Sequence, residues 1–306
     1  MSWIDIVEVA PRDGLQNERR HFATPRKIEL CRRLLGAGVR RMEVSSFVNP
    51  RLVPQMADAE ALFQSVGKDD ERELMGLVLN RRGFERARLA GVGSVNFVVL
   101  ASESFSQRNQ GSSIAEALAI SRELAAEARS SGMRYSVTIG AAFGCPFEGE
   151  VPLARVLDLA ERLAGDGLDE LGLADTIGVA VPSAVEAMAG ALAQAVPGTR
   201  LRGHFHNTRN TGLANAYAAV RSGFAALDSS LGGIGGCPFA PAATGNIPTE
   251  DLWYMLDRMG IETGLDGEAL LAASRWLADE LGRPVPAMLG RAGLFPPRQG
   301  PADGCH

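Results

Sequence analysis

Cysteine is scarce in this chain of 306 residues: Cys31, Cys145, Cys237 and Cys305 stand far apart, with no Cys-x-x-Cys pair among them. That spacing suggests neither a thiolate zinc site nor a disulfide framework, and it fits a reducing, cytoplasmic compartment. Positive charge is not in excess either. Lys and Arg number 31 against 36 Asp and Glu, for a net charge of −5, and no basic cluster is long enough for a nucleic-acid footprint. The expected partners are small molecules, with no nucleic acid and no membrane. No apolar run approaches the ~20 residues that cross a bilayer. The opening "MSWIDIVEVAPRDG" has an acidic residue at position 5 and no basic region ahead of an apolar stretch, so the expectation is a protein neither exported nor membrane-inserted. Also missing are the Gly-Lys-Ser/Thr of a P-loop and a Gly-x-Gly-x-x-Gly after the first strand, the two common devices for gripping nucleotide phosphates.

What is present is an ordinary globular composition, 46% hydrophobic and 22% charged, and a regular alternation. Short β-rich runs are each followed by an Ala/Leu/Arg/Glu-rich segment of helical period, the pattern of parallel βαβ units. The runs fall at 5–10, 40–47, 73–78, 94–101, 134–143, 170–175, 201–206 and 225–231. Eight of them without a change of composition predict an α/β fold, a (β/α)8 TIM barrel spanning 1–306 as one domain. Helices are expected at 24–38, 114–131, 153–166, 182–196 and 211–222, the first with Thr24 as cap, Pro25 in the first turn and Gly36 or Gly38 at the exit. Two more, at 249–259 and 266–281, make 249–306 a helical C-terminal extension with a frayed tail.

Histidine is as rare as cysteine: four in all, of which His204 and His206 share the window "HFHNTR". On a strand these two point to the same side, because side chains alternate with period two. In a barrel of this kind the site lies at the C-terminal strand ends, and those ends collect polar residues. Arg12 and Asp13 close the first strand, Glu43, Ser45 and Ser46 the second, Asp175 the sixth and His204 with His206 the seventh. Two imidazoles, the Asp13 carboxylate and the Asn246 amide form a mixed N/O set without thiolate. Such a set suits octahedral Mg²⁺ or Mn²⁺, and would also accept zinc or cobalt. The alternative, two hydrogen-bonded core histidines, stays open on sequence alone.

After the eighth strand comes "LGGIGGCPFAPAATGN" (231–246). Gly232, Gly233, Gly235 and Gly236 permit backbone conformations closed to other residues, which predicts a mobile loop over the mouth that swings the Cys237 thiol toward substrate. An inert buried Cys237 and a phosphate-cradling loop are the competing readings.

The stretches "VEVAPRDGLQNE" (7–18), "EVSSFVNPRLVPQMADA" (43–59), "LADTIGV" (173–179), "HFHN" and "LGGIGGCPFAPAATGNIPTEDLWYML" (231–256) resemble, in order and along nearly the whole chain, the 3-hydroxy-3-methylglutaryl-CoA lyases. The resemblance implies a metal-dependent (β/α)8 carbon–carbon lyase that splits 3-hydroxy-3-methylglutaryl-CoA (HMG-CoA) into acetyl-CoA and the ketone body acetoacetate, the last step of leucine degradation. It implies Asp13, His204, His206 and Asn246 as ligands of Mg²⁺ or Mn²⁺ and Arg12 as the group steadying charge on the thioester oxygen. Glu43 and Asp175 would be supporting acids, and Cys237 the loop thiol. Gln16, Ser45 and Arg209 join Arg12 as candidate substrate contacts. Asp175 or a metal-bound group would accept the hydroxyl proton, and the sequence does not rank the two. A homo-oligomer, dimer or larger, is expected.

One departure stands out. Where better-known members follow the second histidine with Asp-Thr-Tyr-Gly-Gln, this chain reads Asn207-Thr208-Arg209-Asn210-Thr211. Reaction type is therefore better specified than substrate, and an isoprenoid-extended or citramalyl-CoA-like thioester is the alternative. A condensing synthase of the isopropylmalate type is disfavoured by the Gly-Gly-Cys-Pro loop and by the short chain after residue 281. A non-catalytic metal- or CoA-binding barrel has no positive support.

Overall fold

The computed structural model describes residues 2–67, 71–236 and 245–296. Among them, eight parallel strands close into a barrel: β1 (Asp5–Glu8), β2 (Arg41–Ser46), β3 (Glu73–Val78), β4 (Ser94–Leu100), β5 (Arg134–Gly140), β6 (Glu170–Asp175), β7 (Leu201–Phe205) and β8 (Ala226–Ser229), with β8 pairing back to β1. Almost every strand residue is buried, as parallel strands must be when helices cover one face and the lumen the other.

The helices that cover the strands are α1 (Thr24–Gly36), α2 (Ala59–Val66), α3 (Arg81–Leu89), α4 (Glu103–Gln110), α5 (Ile114–Ser130), α6 (Leu153–Gly165), α7 (Pro182–Ala195) and α8 (Gly212–Arg221). Three of these, α2 to α4, escape the sequence pattern because each is only 8 or 9 residues long, and α3 and α4 are polar besides. α3, "RRGFERARL", carries an internal glycine and is fixed instead by Asn80, whose side chain accepts the Gly83 amide at 2.9 Å. Thr24 is not the cap of α1. That position is Ala23, and the Thr24 hydroxyl instead donates to Asp58. The chain leaves α1 through Gly38 at φ +90°, where an added Cβ would lie 2.3 Å from the Gly264 carbonyl oxygen.

The C-terminal extension consists of α9 (Thr249–Arg258), α10 (Gly267–Leu281) and α11 (Leu289–Ala292). Between α9 and α10, Ile261–Glu262 pairs in parallel with Ser2–Trp3 just ahead of β1, an element the sequence did not announce.

The lumen is polar for most of its height. Side chains on strands two or four apart bond one another, which only inward-facing groups can do. Arg41 of β2 grips Glu170 of β6 through both terminal nitrogens (3.0 and 2.9 Å), and Asn96 of β4 donates to Glu43 of β2 at 3.0 Å. Arg202 of β7 reaches Thr138 of β5 at 3.2 Å. Below this layer Asp5, Glu73 and Arg200 complete an ionic cluster at the N-terminal end of the barrel.

Candidate metal and active site

The expected first strand over 5–10 stops at Glu8. Its buried carboxyl accepts the Ala10 amide at 2.8 Å, and Ala10–Gly14 then winds as a single π-helical turn. Arg12 and Asp13 therefore stand on a turn at the barrel mouth rather than on the strand. Arg12 lies between two acids: its Nε donates to Glu43 Oε2 and its Nη1 to Asp13 Oδ1, both at 2.5 Å. The second oxygen of Glu43 is taken by Asn96, so Arg12 is gripped by a carboxylate that is itself held.

β7 carries Arg202 and His204 on its inner side, and His206 follows at the rim. A backbone bridge between His206 and Asn246 brings the far end of the glycine-rich stretch alongside. The Nε2 atoms of His204 and His206 lie 3.1 Å apart, and His206 Nε2 is 3.9 Å from Asp13 Oδ2. Asn246 Nδ2 donates to the same Asp13 oxygen at 2.7 Å. One ligand atom each from Asp13, His204 and His206 falls within 4.8 Å of the others.

Whether these residues suit a divalent cation is answered by their unused atoms. Asn246 Oδ1 and His206 Nδ1 are buried and make no hydrogen bond among the described residues, an expensive arrangement unless something else engages the group. Two imidazole nitrogens pointing at each other beside a carboxylate form a concentrated set of lone pairs. The set fits Mg²⁺ or Mn²⁺, and nothing in it selects between them.

The electrostatics agree. Burial pushes the Asp13 carboxyl up, but Arg12 and the two imidazoles outweigh it and hold it well below the usual carboxylate range. His206 is pushed down to about 4 by burial and by His204, so its imidazole is neutral at physiological pH. For His204 burial also acts downward, yet the hydrogen bond and charge of Asp228 reverse the sign and raise it.

Other expected residues are placed differently. Ser45 does not face the mouth. The register of β2 slips between Glu43 and Ser45, breaking the alternation that would have put them on one side, and the Ser45 hydroxyl meets Met56 Sδ at 3.5 Å. Asp175 spends its two oxygens on the Val179 and Ala180 amides (2.8 and 3.0 Å), closing its own loop, and burial raises its pKa. Arg209 donates to the carbonyls of Ile177 and Gly178 at 3.0 and 2.8 Å, tying the loop after β7 to the loop after β6 rather than reaching the cavity. Gln16 does line the cavity. The start of the glycine stretch is not a mobile flap. Leu231–Gly233 form one buried turn with Gly232 and Gly233 at φ +70° and +68°, and the Gly232 amide is held by Glu250 at 2.9 Å. Cys237 and Cys305 lie outside the described residues.

The site opens into a cavity of about 730 Å³. One wall is apolar, with Leu77, Leu79, Val98, Leu100 and Phe105, and the floor is polar, with Asn96, Thr138 and Asp228. The sequence reading passed over these floor residues and the Arg202 that supports them. The signal was there in each case: a polar residue in the middle of a strand that must be buried on both faces.

Comparison with known proteins decides the family. The HMGL-like family model matches residues 3–277. The chain belongs to the HMGL-like family. The (R)-citramalyl-CoA lyase of Chloroflexus aurantiacus is 45% identical over 97% of each chain. The hydroxymethylglutaryl-CoA lyase of Bacillus subtilis is 38% identical over 93% of this chain and 95% of its own. Among solved structures, an HMG-CoA lyase from Acinetobacter baumannii in complex with coenzyme A and 3-methylmalate superimposes with a TM-score of 0.92 at 37% identity, covering 96% of each chain. Membership of the HMGL-like family fits a lyase on a TIM barrel. Among the described residues no helix is long and apolar enough to cross a membrane.

Proposed function

We propose that the chain is a divalent-cation-dependent lyase of HMG-CoA, releasing acetyl-CoA and acetoacetate. The observation that carries this reading is the meeting of Asp13, His204 and His206 beside the Arg12 guanidinium at the open end of the barrel. Retro-Claisen cleavage takes the proton from the tertiary 3-hydroxyl, breaks the bond between C2 and C3, and leaves the two-carbon fragment as a thioester enolate that must then be protonated. A divalent cation bound here, Mg²⁺ or Mn²⁺, would acidify a chelated hydroxyl and hold a substrate carboxylate.

The remaining work falls to the chain. Asp13, His204, His206 and Asn246 would hold the cation, and the neutral His206 suits a ligand better than a base. Arg12 stays charged throughout and stabilises the developing enolate oxygen, its direction fixed by Glu43 and, through it, by Asn96. Cys237 is the proposed proton donor to the enolate carbon. Its neighbour Gly236 lines the cavity, and the Gly236 carbonyl accepts a hydrogen bond from Asn17, so the segment bearing the thiol sets out from the mouth. Asp175, with its oxygens engaged by the Val179 and Ala180 amides, positions the loop after β6 in this account, and the hydroxyl proton would pass to the other candidate acceptor, a group held beside the cation.

A second substrate is favoured by two observations, the 45% identity to a citramalyl-CoA lyase and the altered loop at Asn207–Asn210. (R)-Citramalyl-CoA is one methylene shorter between C3 and its carboxylate, and the same bond cleavage yields acetyl-CoA and pyruvate. Purified protein assayed with Mg²⁺ or Mn²⁺ against both thioesters separates the two: acetoacetate from HMG-CoA at the higher kcat/KM supports the first reading, and pyruvate from citramalyl-CoA at the higher kcat/KM replaces it. Acetyl-CoA from neither would end the lyase proposal.

A further inference from the structure

Beneath the two imidazoles stands a charged column that the chemistry above leaves unused. Asp228 of β8 has both oxygens engaged: Oδ1 accepts from Arg202 Nη1 at 3.0 Å and Oδ2 faces His204 Nδ1 at 3.0 Å. Arg202 is almost wholly buried. It donates to Thr138 at 3.2 Å and lies 2.9 Å from Glu170, which Arg41 holds from the other side. Arg202 therefore has little freedom to move, and it can only donate.

We propose that Arg202 and Asp228 are positioning residues that fix the tautomer of His204: because Arg202 dictates an acceptor at one Asp228 oxygen, the other is free to receive Nδ1–H, leaving the Nε2 lone pair turned toward the cation position. A ligating histidine whose second nitrogen donates to a carboxylate is held in orientation and made a stronger donor, and loss of that partner lowers metal affinity about 10- to 100-fold. Among the described residues His206 lacks such a partner, since its Nδ1 is buried without a hydrogen bond. The two ligands are thus unequal, with His204 preset and His206 adjustable.

The inference rests on the metal-site reading and makes a reversal that a merely structural role would not. In Asp228→Asn, Arg202 still requires an acceptor and takes the amide oxygen, so the NH₂ group is turned toward His204 Nδ1. That nitrogen must then accept, the ring proton moves to Nε2, and the lone pair needed for ligation is lost. Removing the donor that enforces this orientation, in the double variant R202M/D228N, frees the amide to flip, and Nδ1–H again finds an oxygen.

The test is Mn²⁺ titration followed by EPR, without substrate, on wild type, D228N and R202M/D228N, together with ¹⁵N-histidine spectra of the metal-free proteins. The four histidines of the chain keep those spectra assignable. The expected result is affinity reduced about 10- to 100-fold in D228N, at least partial recovery in the double variant, and a His204 tautomer carrying its proton on Nδ1 in wild type and on Nε2 in D228N. Equal Mn²⁺ affinity in wild type and D228N, or a double variant no tighter than D228N, overturns the proposal. Should either variant fail to fold, the wild-type spectrum of the neutral His204 ring, recorded above the pH at which that ring titrates, decides alone: a single proton on Nε2 rather than Nδ1 rejects it. Since no acyl-CoA enters these measurements, a failed lyase assay and a failed tautomer assignment remain distinguishable.

Discussion

At the scale of single residues, the account turns on charge held in place. Arg12 serves because a guanidinium can engage two carboxylates at once and keep a face for a third partner, which an ammonium cannot match. Arg12→Lys is therefore expected to lower kcat by about 100- to 1,000-fold, the usual loss when one preorganised donor is removed from a developing oxyanion, with KM changed far less. Steady-state kinetics on the preferred thioester checks this, and a kcat within threefold of wild type would remove Arg12 from the reacting oxygen. The gathering of Asp13, His204 and His206 was readable from sequence because imidazole and carboxylate have few other reasons to collect at strand ends. Ser45, Asp175 and Arg209 were misread for a common reason. Their positions along the chain were right, but a β-bulge, a run of loop amides and two loop carbonyls respectively decide where their polar atoms go, and none of these leaves a trace in residue spacing.

At the scale of elements, the turn Leu231–Gly233 is the feature that sequence pattern inverted. Four glycines suggested mobility, whereas two of them supply the left-handed conformations of a buried turn pinned by acids on either side. Glu8 accepts the Leu231 amide at 3.0 Å and Glu250 the Gly232 amide. Burial raises both carboxyls to about 7. A carboxyl whose folded pKa lies above its unfolded value of 4.5 binds its proton more readily in the native state. Its contribution to stability is complete below pH 4.5 and is lost as pH rises through 7. Glu8→Gln keeps the shape and the Leu231 acceptor while removing the ionisation. The difference in melting temperature between this variant and wild type should therefore shift in the variant's favour between pH 5 and pH 8. A difference that stays constant across that range, measured by calorimetry, would show that Glu8 does not titrate in the folded protein. The strands themselves were legible because short β-rich runs of the right length recur between segments of helical period. Those at 73–78 and 170–175 match β3 and β6 residue for residue, while β1 was overextended because the Glu8 carboxyl diverts the backbone at Ala10.

At the scale of the whole molecule, the barrel is built around ionic contacts rather than layers of aliphatic side chains alone. Glu170 lies at the centre, 1% exposed and facing Arg41, Arg200 and Arg202. Breaking a buried ion pair from one side leaves uncompensated charge and costs about 3–5 kcal/mol. Glu170→Ala should lose stability on that scale by urea denaturation, well beyond the effect of cutting the exposed pair of Arg88 and Glu85. A loss below about 1 kcal/mol would mean that the arginines find other partners or water. The same column continues upward through Arg202 and Asp228 to His204, so the packing that closes the barrel reaches the imidazole proposed as a ligand. The closed fold followed from counting strands. The identity of the lumen residues did not, because period two says which residues share a face but not which strands meet across a barrel.

The most direct test of the central claim is anomalous scattering at the manganese edge from crystals grown with Mn²⁺. One peak is expected at the barrel mouth, about 2.0–2.3 Å from an Asp13 carboxylate oxygen, from Nε2 of His204 and His206, and from Asn246 Oδ1, the range of metal–ligand bonds. A peak bound elsewhere, or full Mn²⁺ occupancy with either imidazole outside the coordination sphere, would contradict the account.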